Sequence, residues 1–210
     1  MRIIVVGGAG TIGKSAVKAL SDRHDIAVAG RRSGTVQVDI RSPDSVRAMY
    51  DQVGSFDALV CAAGEAHLGP FDSMSEAEFA LGIESKLLGQ IRLVLLGHPL
   101  ISDGGSFTLV SGYLLDDPIP VGAGFSVANG GVEGFVRSAA LSLDRGIRIN
   151  AVSPGLAEDS DEQFARPTRA ASPSPCPPSA PPSSEAWRGG APEKPSGPGD
   201  HLSSIVQGGS

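Results

Sequence analysis

Apolar and polar positions alternate in regular blocks up to about residue 155. Short apolar runs are followed by segments in which apolar residues recur at helical spacing. The apolar runs predict strands at Arg2–Val6, Ile26–Ala29, Val36–Val38, Ala58–Cys61, Ser106–Val110 and Arg148–Val152. Strands that alternate with helices are typical of a parallel sheet covered by helices on both faces. We therefore predict a doubly wound α/β fold.

Two of the predicted helices begin with recognisable caps. Ser42 followed by Pro43 is a favourable N-cap and first helical position, and Ser75 with Glu78 forms a capping box. The residues predicted to face the core are Ile12, Ala16 and Leu20 in the first helix, Val46, Met49, Tyr50 and Val53 in the second, Phe79, Ile83 and Leu87 in the third, and Val132, Phe135, Val136 and Ala139 in a helix over residues 124–143.

A glycine-rich turn joins the first strand to the first helix. Glycines at 7, 10 and 13 allow a tight turn and the close approach of a pyrophosphate to the backbone. The helix that follows presents free backbone N–H groups at its N-terminus, which favours an anion. The turn therefore predicts a dinucleotide site in a Rossmann-like domain, with contacts from Gly7, Gly10, Thr11, Ile12 and Gly13.

The composition changes abruptly after Gly155. Ten of the 16 prolines lie beyond it, and Ser, Ala and Gly make up most of the remaining sequence. Helical and strand periodicity disappear, so we predict a folded domain over residues 1–155 and a disordered tail over residues 156–210. Between a native flexible extension and a shift of reading frame near residue 156, the abrupt change favours the frameshift, which translation of the gene in the other two frames would decide.

Charge and cysteine usage exclude several classes of function. The net charge is −6 with no basic stripe, which disfavours a nucleic-acid surface. The N-terminus leads directly into a strand without a signal peptide, and no apolar run reaches membrane-spanning length. The two cysteines and four histidines show neither a disulfide framework nor metal-ligand spacing. We expect a cytoplasmic protein with no metal, nucleic-acid or membrane partner.

Several ordered motifs resemble those of the short-chain dehydrogenase/reductase family. The glycine turn is similar to the family's cofactor loop, although Thr11 stands where the commonest pattern has its middle glycine. Asp39-Ile40 matches the pair that the family uses at the adenine ring, and Cys61-Ala62-Ala63-Gly64 resembles the family's Asn-Asn-Ala-Gly motif without its two asparagines. Ser111 stands at the position of the family's catalytic serine. The segment from Asn150 to Gly155, which includes Pro154, is similar to the family's segment beside the nicotinamide.

The charges after the second strand bear on which dinucleotide is bound. An acidic residue normally ends this strand when the ribose carries a free 2′-hydroxyl. Here Arg31 and Arg32 follow the strand without a carboxylate, and a guanidinium fork suits a 2′-phosphate. NADP(H) is therefore favoured over NAD(H). The alternative interpretation is a pair of solvated surface arginines.

The catalytic positions depart from the family pattern. Aligning Glu133-Gly134-Phe135 with the family helix places Phe125 at the proton-donating tyrosine and Asn129 at the lysine. Phenylalanine has no exchangeable proton, whereas Asn129 can still hydrogen-bond the nicotinamide ribose. Three residues remain as candidates for the chemistry. Ser111 would donate a hydrogen bond to the substrate carbonyl, and Tyr113 or Lys86 would compensate for the lost proton donor.

Each compensating group has a plainer alternative. A tyrosine such as Tyr113 is more often a loop aromatic packed on the surface, and a lysine such as Lys86 is more often a solvated helix lysine. We expect an NADP(H)-dependent oxidoreductase that acts on an unknown small carbonyl or alcohol. The alternative is an NADP(H)-binding sensor or partner module that lost turnover. The resemblance also implies a homo-oligomer formed through the helices at residues 75–97 and 124–143.

Overall fold

A computed structural model describes residues 1–155 and shows one six-stranded, fully parallel sheet. The strand order is β3-β2-β1-β4-β5-β6, so the predicted Rossmann-like α/β fold is confirmed. Strands β2 and β3 are added on one side of β1, and strands β4, β5 and β6 on the other. This reversal of direction leaves a crevice at the carboxyl ends of β1 and β4. The strands are β1 (Arg2–Val6), β2 (Asp25–Gly30), β3 (Val36–Gln37), β4 (Phe56–Cys61), β5 (Ile101–Val110) and β6 (Arg148–Val152).

The helices begin largely where the sequence caps predict. Ser42 accepts a hydrogen bond from the Ser45 backbone N–H, and Ser75 with Glu78 forms both bonds of a capping box. The last helix ends at Ala139 rather than near residue 143. The helices are α1 (Thr11–Leu20), α2 (Pro43–Val53), α3 (Glu76–Leu81), a π-helical turn (Gly82–Leu87), α4 (Leu88–Gly97), a 3-10 turn (Tyr113–Leu115) and α5 (Ala123–Ala139).

Two apolar layers lie on opposite faces of the sheet. Helices α2, α4 and α5 pack on one face around an aromatic cluster, in which Tyr50 stacks on Phe56 with ring centroids 5.4 Å apart and Phe107 meets Phe56 edge-on. The buried Tyr50 hydroxyl donates to the Leu93 carbonyl, and burial raises the pKa of this phenol above its ordinary value. Helix α1 covers the central strands on the other face.

Of the α1 residues predicted to face the core, Leu20 packs on the sheet and Ala16 is half-buried, but Ile12 is not buried. Ile12 is 39% exposed, whereas Val17 and Leu20 pack against β1 and β4. The reason is Gly13, which is buried against the carbonyl of Gly7 with no room for a Cβ atom. This close approach fixes the rotation of the helix and leaves Ile12 in solvent.

The helix that follows β4 also buries a different face from the predicted one. Phe79, Ile83 and Leu87 are only half-buried, and small or polar residues occupy the interior. Gly82 lies against the backbone of α5. These inward positions are Gly82, Ser85, Lys86, Gly89 and Gln90. Polar side chains are buried here because the carbonyls at the end of β5 accept their hydrogen bonds.

The predicted tail over residues 156–210 lies outside the described residues. Within residues 1–155, none of the helices has the length and apolar character needed to cross a membrane.

Candidate cofactor and active site

A cleft of about 380 Å³ opens at the carboxyl ends of β1, β2 and β4. This is the crevice where open parallel sheets bind their ligands. Most of the cofactor contacts predicted from the sequence line it, namely Gly7, Gly10, Arg31, Arg32, Asp39, Ile40, Ala62, Ala63 and Gly64. Residues that the sequence did not single out, among them Arg41, Glu65 and Ser85, also line it.

The glycine turn has the geometry that a pyrophosphate requires. Gly7 has a φ of 80°, and a Cβ atom there would lie 2.7 Å from the Ala62 carbonyl oxygen. Gly10 is the N-cap of α1 and offers no side-chain cap, so the first N–H groups of the helix remain open to an anion. Thr11 and Ile12 are exposed in this first turn but are not among the cleft-lining residues. The residues present therefore fit a dinucleotide phosphate.

The two arginines after β2 have different partners. Arg31 makes a two-pronged ion pair with Glu65, whose oxygens lie 2.5 and 3.4 Å from its guanidinium nitrogens. Within residues 1–155, Arg32 has no carboxylate at ion-pair distance, although it lines the same cleft. Both Arg31 and Glu65 are substantially exposed, so their pair is weak and a stronger anion can displace Glu65.

Asp39, predicted to contact adenine, is held by a third arginine. Its carboxylate accepts hydrogen bonds from the Arg41 backbone N–H at 3.0 Å and from the Arg41 guanidinium at 3.1 Å. These bonds keep the pKa of Asp39 below its ordinary value. The backbone of Asp39 is fixed separately by the Ser45 hydroxyl, so the cleft wall is rigidly built at this point.

A second group of polar residues lies where β5 meets α5. Ser111 directly follows β5 and is only 1% exposed. Its hydroxyl donates to the Glu133 carboxylate at 2.8 Å, and Glu133 also lies 3.4 Å from Arg137. The hydroxyl predicted to hold a substrate carbonyl is therefore occupied by Glu133, a partner that the sequence did not identify.

Lys86 is buried beneath this group, so its interpretation as a solvated helix lysine is wrong. Its Nζ donates to the Ser111 carbonyl at 2.9 Å and lies 5.4 Å from the centre of the Phe125 ring. Burial lowers the pKa of Lys86 to about 8. An amine with a pKa near neutrality can donate and recover a proton under ordinary conditions.

Asn129 presents a buried acceptor. The residue is 1% exposed, and its Nδ2 donates to the Gly112 carbonyl at 3.1 Å. No partner for its Oδ1 is present among the described residues. An unsatisfied buried acceptor is unfavourable unless a ligand or water supplies a donor. A ribose hydroxyl is such a donor, so this position also fits a nicotinamide nucleotide.

The other predicted site residues lie around this end of the sheet. Tyr113 is half-buried at the start of the 3-10 turn after β5, and Pro154 and Gly155 follow β6. The Cys61 thiol is fully buried at the end of β4, and burial raises its pKa to about 12, so it stays protonated. The part of the chain that the structure describes contains no cluster of three potential metal ligands.

Known proteins share this fold and much of the sequence. A family model described as Enoyl-(Acyl carrier protein) reductase matches residues 5–171. The solved structure of lin1944 from Listeria innocua is 45% identical with a TM-score of 0.77, over 80% of this chain and 83% of that one. A small-chain dehydrogenase solved in complex with NADPH is 30% identical with a TM-score of 0.69, over 74% of this chain and 70% of that one.

Curated relatives are oxidoreductases by name. Cis-4-hydroxycyclohexanecarboxylate dehydrogenase of Sinomonas cyclohexanicum is 31% identical over 74% of this chain and 72% of its own length. The oxidoreductase UcpA of Escherichia coli is 29% identical over 60% of this chain, and the match spans about half of UcpA (51%). The fold, the glycine turn and these matches agree: the chain belongs to the short-chain dehydrogenase/reductase family, which uses nicotinamide cofactors.

Proposed function

We propose that the protein is an NADP(H)-dependent oxidoreductase that interconverts a small carbonyl compound and its alcohol. The observation that carries the cofactor preference is the end of β2, where Arg31 and Arg32 follow the strand in place of an acidic residue and line the cleft. A carboxylate at this point would accept the 2′-hydroxyl of NAD(H) and repel the 2′-phosphate of NADP(H). The NADPH complex of a relative 30% identical to this chain supports the same preference.

Three groups of residues in this chain would contact three different parts of the cofactor. The backbone N–H groups of the glycine turn and of the α1 N-terminus face the pyrophosphate. Arg32, and Arg31 once it leaves Glu65, face the 2′-phosphate. Asn129, whose buried Oδ1 has no partner among the described residues, would accept a hydrogen bond from the nicotinamide ribose. When bound, NADPH supplies the hydride.

We infer the substrate class from the relatives and not from the shape of a substrate pocket in this chain. One relative acts, by its name, on cis-4-hydroxycyclohexanecarboxylate, a secondary alcohol whose oxidation product is a ketone. We propose a small ketone or secondary alcohol for this chain as well. The 4-oxocyclohexanecarboxylate ion is therefore a rational first probe in a broader ketone panel.

Cofactor binding tests the proposal without a known substrate. The dissociation constants of NADPH and NADH are measured by titration calorimetry on the full chain and on Arg31→Ala, Arg32→Ala and the double variant. Arg47→Ala serves as the control, because Arg47 is an exposed arginine paired with Asp44 on α2. A charge-assisted hydrogen bond contributes about 1.5–3 kcal/mol, so we expect NADPH to bind roughly 10- to 100-fold more tightly than NADH.

The double variant should lose this preference while its NADH affinity stays nearly constant. Arg47→Ala should behave as the wild type. Equal affinity of the wild type for the two cofactors would refute the role of the arginines.

A further inference from the structure

Lys86 is a buried cation without a counter-charge in the part of the chain that the structure describes. Its stem passes directly over Gly64, where an added Cβ would lie 2.8 Å from the Lys86 Cα. The Nζ atom finds one backbone acceptor, the carbonyl of Ser111 at 2.9 Å. Burying a charged amine without an opposite charge is unfavourable, so its presence here requires an explanation.

A structural need for a hydrogen-bond donor does not provide that explanation. One turn along the same helix, the buried Gln90 binds the same end of β5, donating to the Val110 carbonyl and accepting from the Val110 N–H, both at 2.9 Å. A neutral amide is therefore sufficient to anchor this helix to the strand. An ammonium group adds only two properties: positive charge and protons that can be released.

The position of Nζ places these protons beside Ser111, the residue at the family's catalytic-serine position. Lys86 follows Ser85, which lines the cofactor cleft. From the other side, α5 contributes the Phe125 ring, 5.4 Å from Nζ. An ammonium carries three N–H bonds. The Ser111 carbonyl accepts one, and an aromatic ring offers no lone pair, so N–H bonds remain for a substrate oxygen beside Ser111.

We propose that Lys86 is the catalytic acid of this protein, donating a proton from the π-helical turn to the substrate oxygen, a task that Phe125 on α5 cannot perform. The inference rests on the proposed function. As a hydride reaches the carbonyl carbon, the C=O π electrons move to oxygen. That oxygen takes a proton from Nζ, and Lys86 becomes a neutral amine. The ketone is reduced to the alcohol, NADPH is oxidised to NADP+, and Lys86 regains its proton from water.

The groups around Nζ set the expected pH dependence. Cys61 faces it from β4, and its thiol stays protonated because burial raises the pKa to about 12. Glu133 on α5 is held by the Ser111 hydroxyl and by Arg137. With the pKa of Lys86 lowered to about 8 by burial, ketone reduction should fall as pH rises above 8. Alcohol oxidation, which needs the neutral amine, should increase over the same range.

Two classes of substrate separate proton donation from the other steps. Reduction of a simple ketone such as 4-oxocyclohexanecarboxylate creates a strongly basic alkoxide that needs an acid. Hydride addition to 9,10-phenanthrenequinone creates an α-keto alkoxide, which the adjacent carbonyl makes a weaker base and which therefore depends much less on an acid at that step. We expect Lys86→Met to lower kcat for the ketone at least about 100-fold and to change the quinone rate less than about threefold. Lys86→Arg keeps the charge but cannot release a proton, so it should not restore ketone reduction.

A measurement that does not depend on turnover accompanies the kinetics. In protein labelled with 13C and 15N at lysine, the resonance missing from Lys86→Met identifies Lys86, and its pH titration gives the pKa directly. We expect titration near pH 8. Titration above pH 10, full ketone activity in Lys86→Met, or rescue by Lys86→Arg overturns the assignment. If the wild type reduces the quinone but no ketone, the donor role fails while the proposed function survives; if it reduces neither, the proposed function itself fails.

Discussion

Replacement of Lys86 by methionine should make the folded protein's stability less dependent on pH. The folded state holds the pKa of Lys86 at about 8, against an ordinary value of 10.5. Below pH 8 the amine is protonated in both the folded and the unfolded chain, so the folded state carries the full penalty of a buried charge. Between pH 8 and 10.5 the unfolded chain binds more protons, so the wild type gains stability as pH rises.

The size of this effect follows from the shift itself. One pKa unit corresponds to about 1.4 kcal/mol, so the wild type should gain about 3 kcal/mol relative to Lys86→Met between pH 7 and pH 11. The gain is measurable by urea unfolding at several pH values, followed by circular dichroism. Comparison of two variants cancels the other groups that titrate in this range.

Lys18→Met is the matched control, because Lys18 is an exposed lysine in the last turn of α1. Its stability difference from the wild type should stay flat across the pH range. A flat difference for Lys86→Met as well, or one that grows in favour of methionine as pH rises, would refute the reasoning.

Three further substitutions, two at the glycine turn and the cofactor cleft and one on α5, have equally definite outcomes. Gly13→Ala should abolish NADPH binding and lower the free energy of unfolding by more than about 2 kcal/mol, because its Cβ has no space against the glycine turn. Gly134→Ala on α5, where an added Cβ meets nothing within 4 Å, should instead stabilise the protein by about 0.5–1 kcal/mol in thermal unfolding. Glu65→Gln should tighten binding of the probe 2′,5′-ADP about threefold to tenfold by releasing Arg31. The exposed Glu76→Gln is its control, and unchanged affinity in Glu65→Gln would show that Arg31 does not face the phosphate.

Local patterns predicted the elements of the fold well. The six apolar runs and the two caps depend on residues close together in sequence, and the strands at Arg2–Val6 and Arg148–Val152 match the prediction without change. The parallel direction of the strands followed from the rule that strands alternating with helices form a parallel sheet, whereas the strand order came from the structure. The position of the cofactor cleft was equally predictable from the sequence, because a parallel sheet brings the ends of its central strands together.

Tertiary contacts determined what the sequence alone did not predict. Ile12 has the correct helical spacing for the core, yet the close approach of Gly13 to Gly7 turns it outward. Arg31 pairs with Glu65, 34 residues away, and Ser111 with Glu133, 22 residues away. Such partners leave no periodic signal.

The buried face of the α3–α4 region was missed for a related reason. Periodicity assumes that apolar residues face the core, whereas Lys86 and Gln90 are buried because strand-end backbone groups satisfy them. The motif comparison alone aligns Phe125 with the family's tyrosine. Lys86 was already a candidate from the sequence, but its burial and the position of its amine required the structure.

The central claim is that this chain transfers hydride rather than only binding the cofactor. The most direct measurement follows NADPH consumption and alcohol formation together, with wild-type protein, a ketone panel that includes 4-oxocyclohexanecarboxylate, and mass spectrometry of the product. The account predicts one alcohol formed for each NADPH oxidised, at a higher rate than with NADH. Tight binding of NADPH with no alcohol formed from any ketone would contradict it.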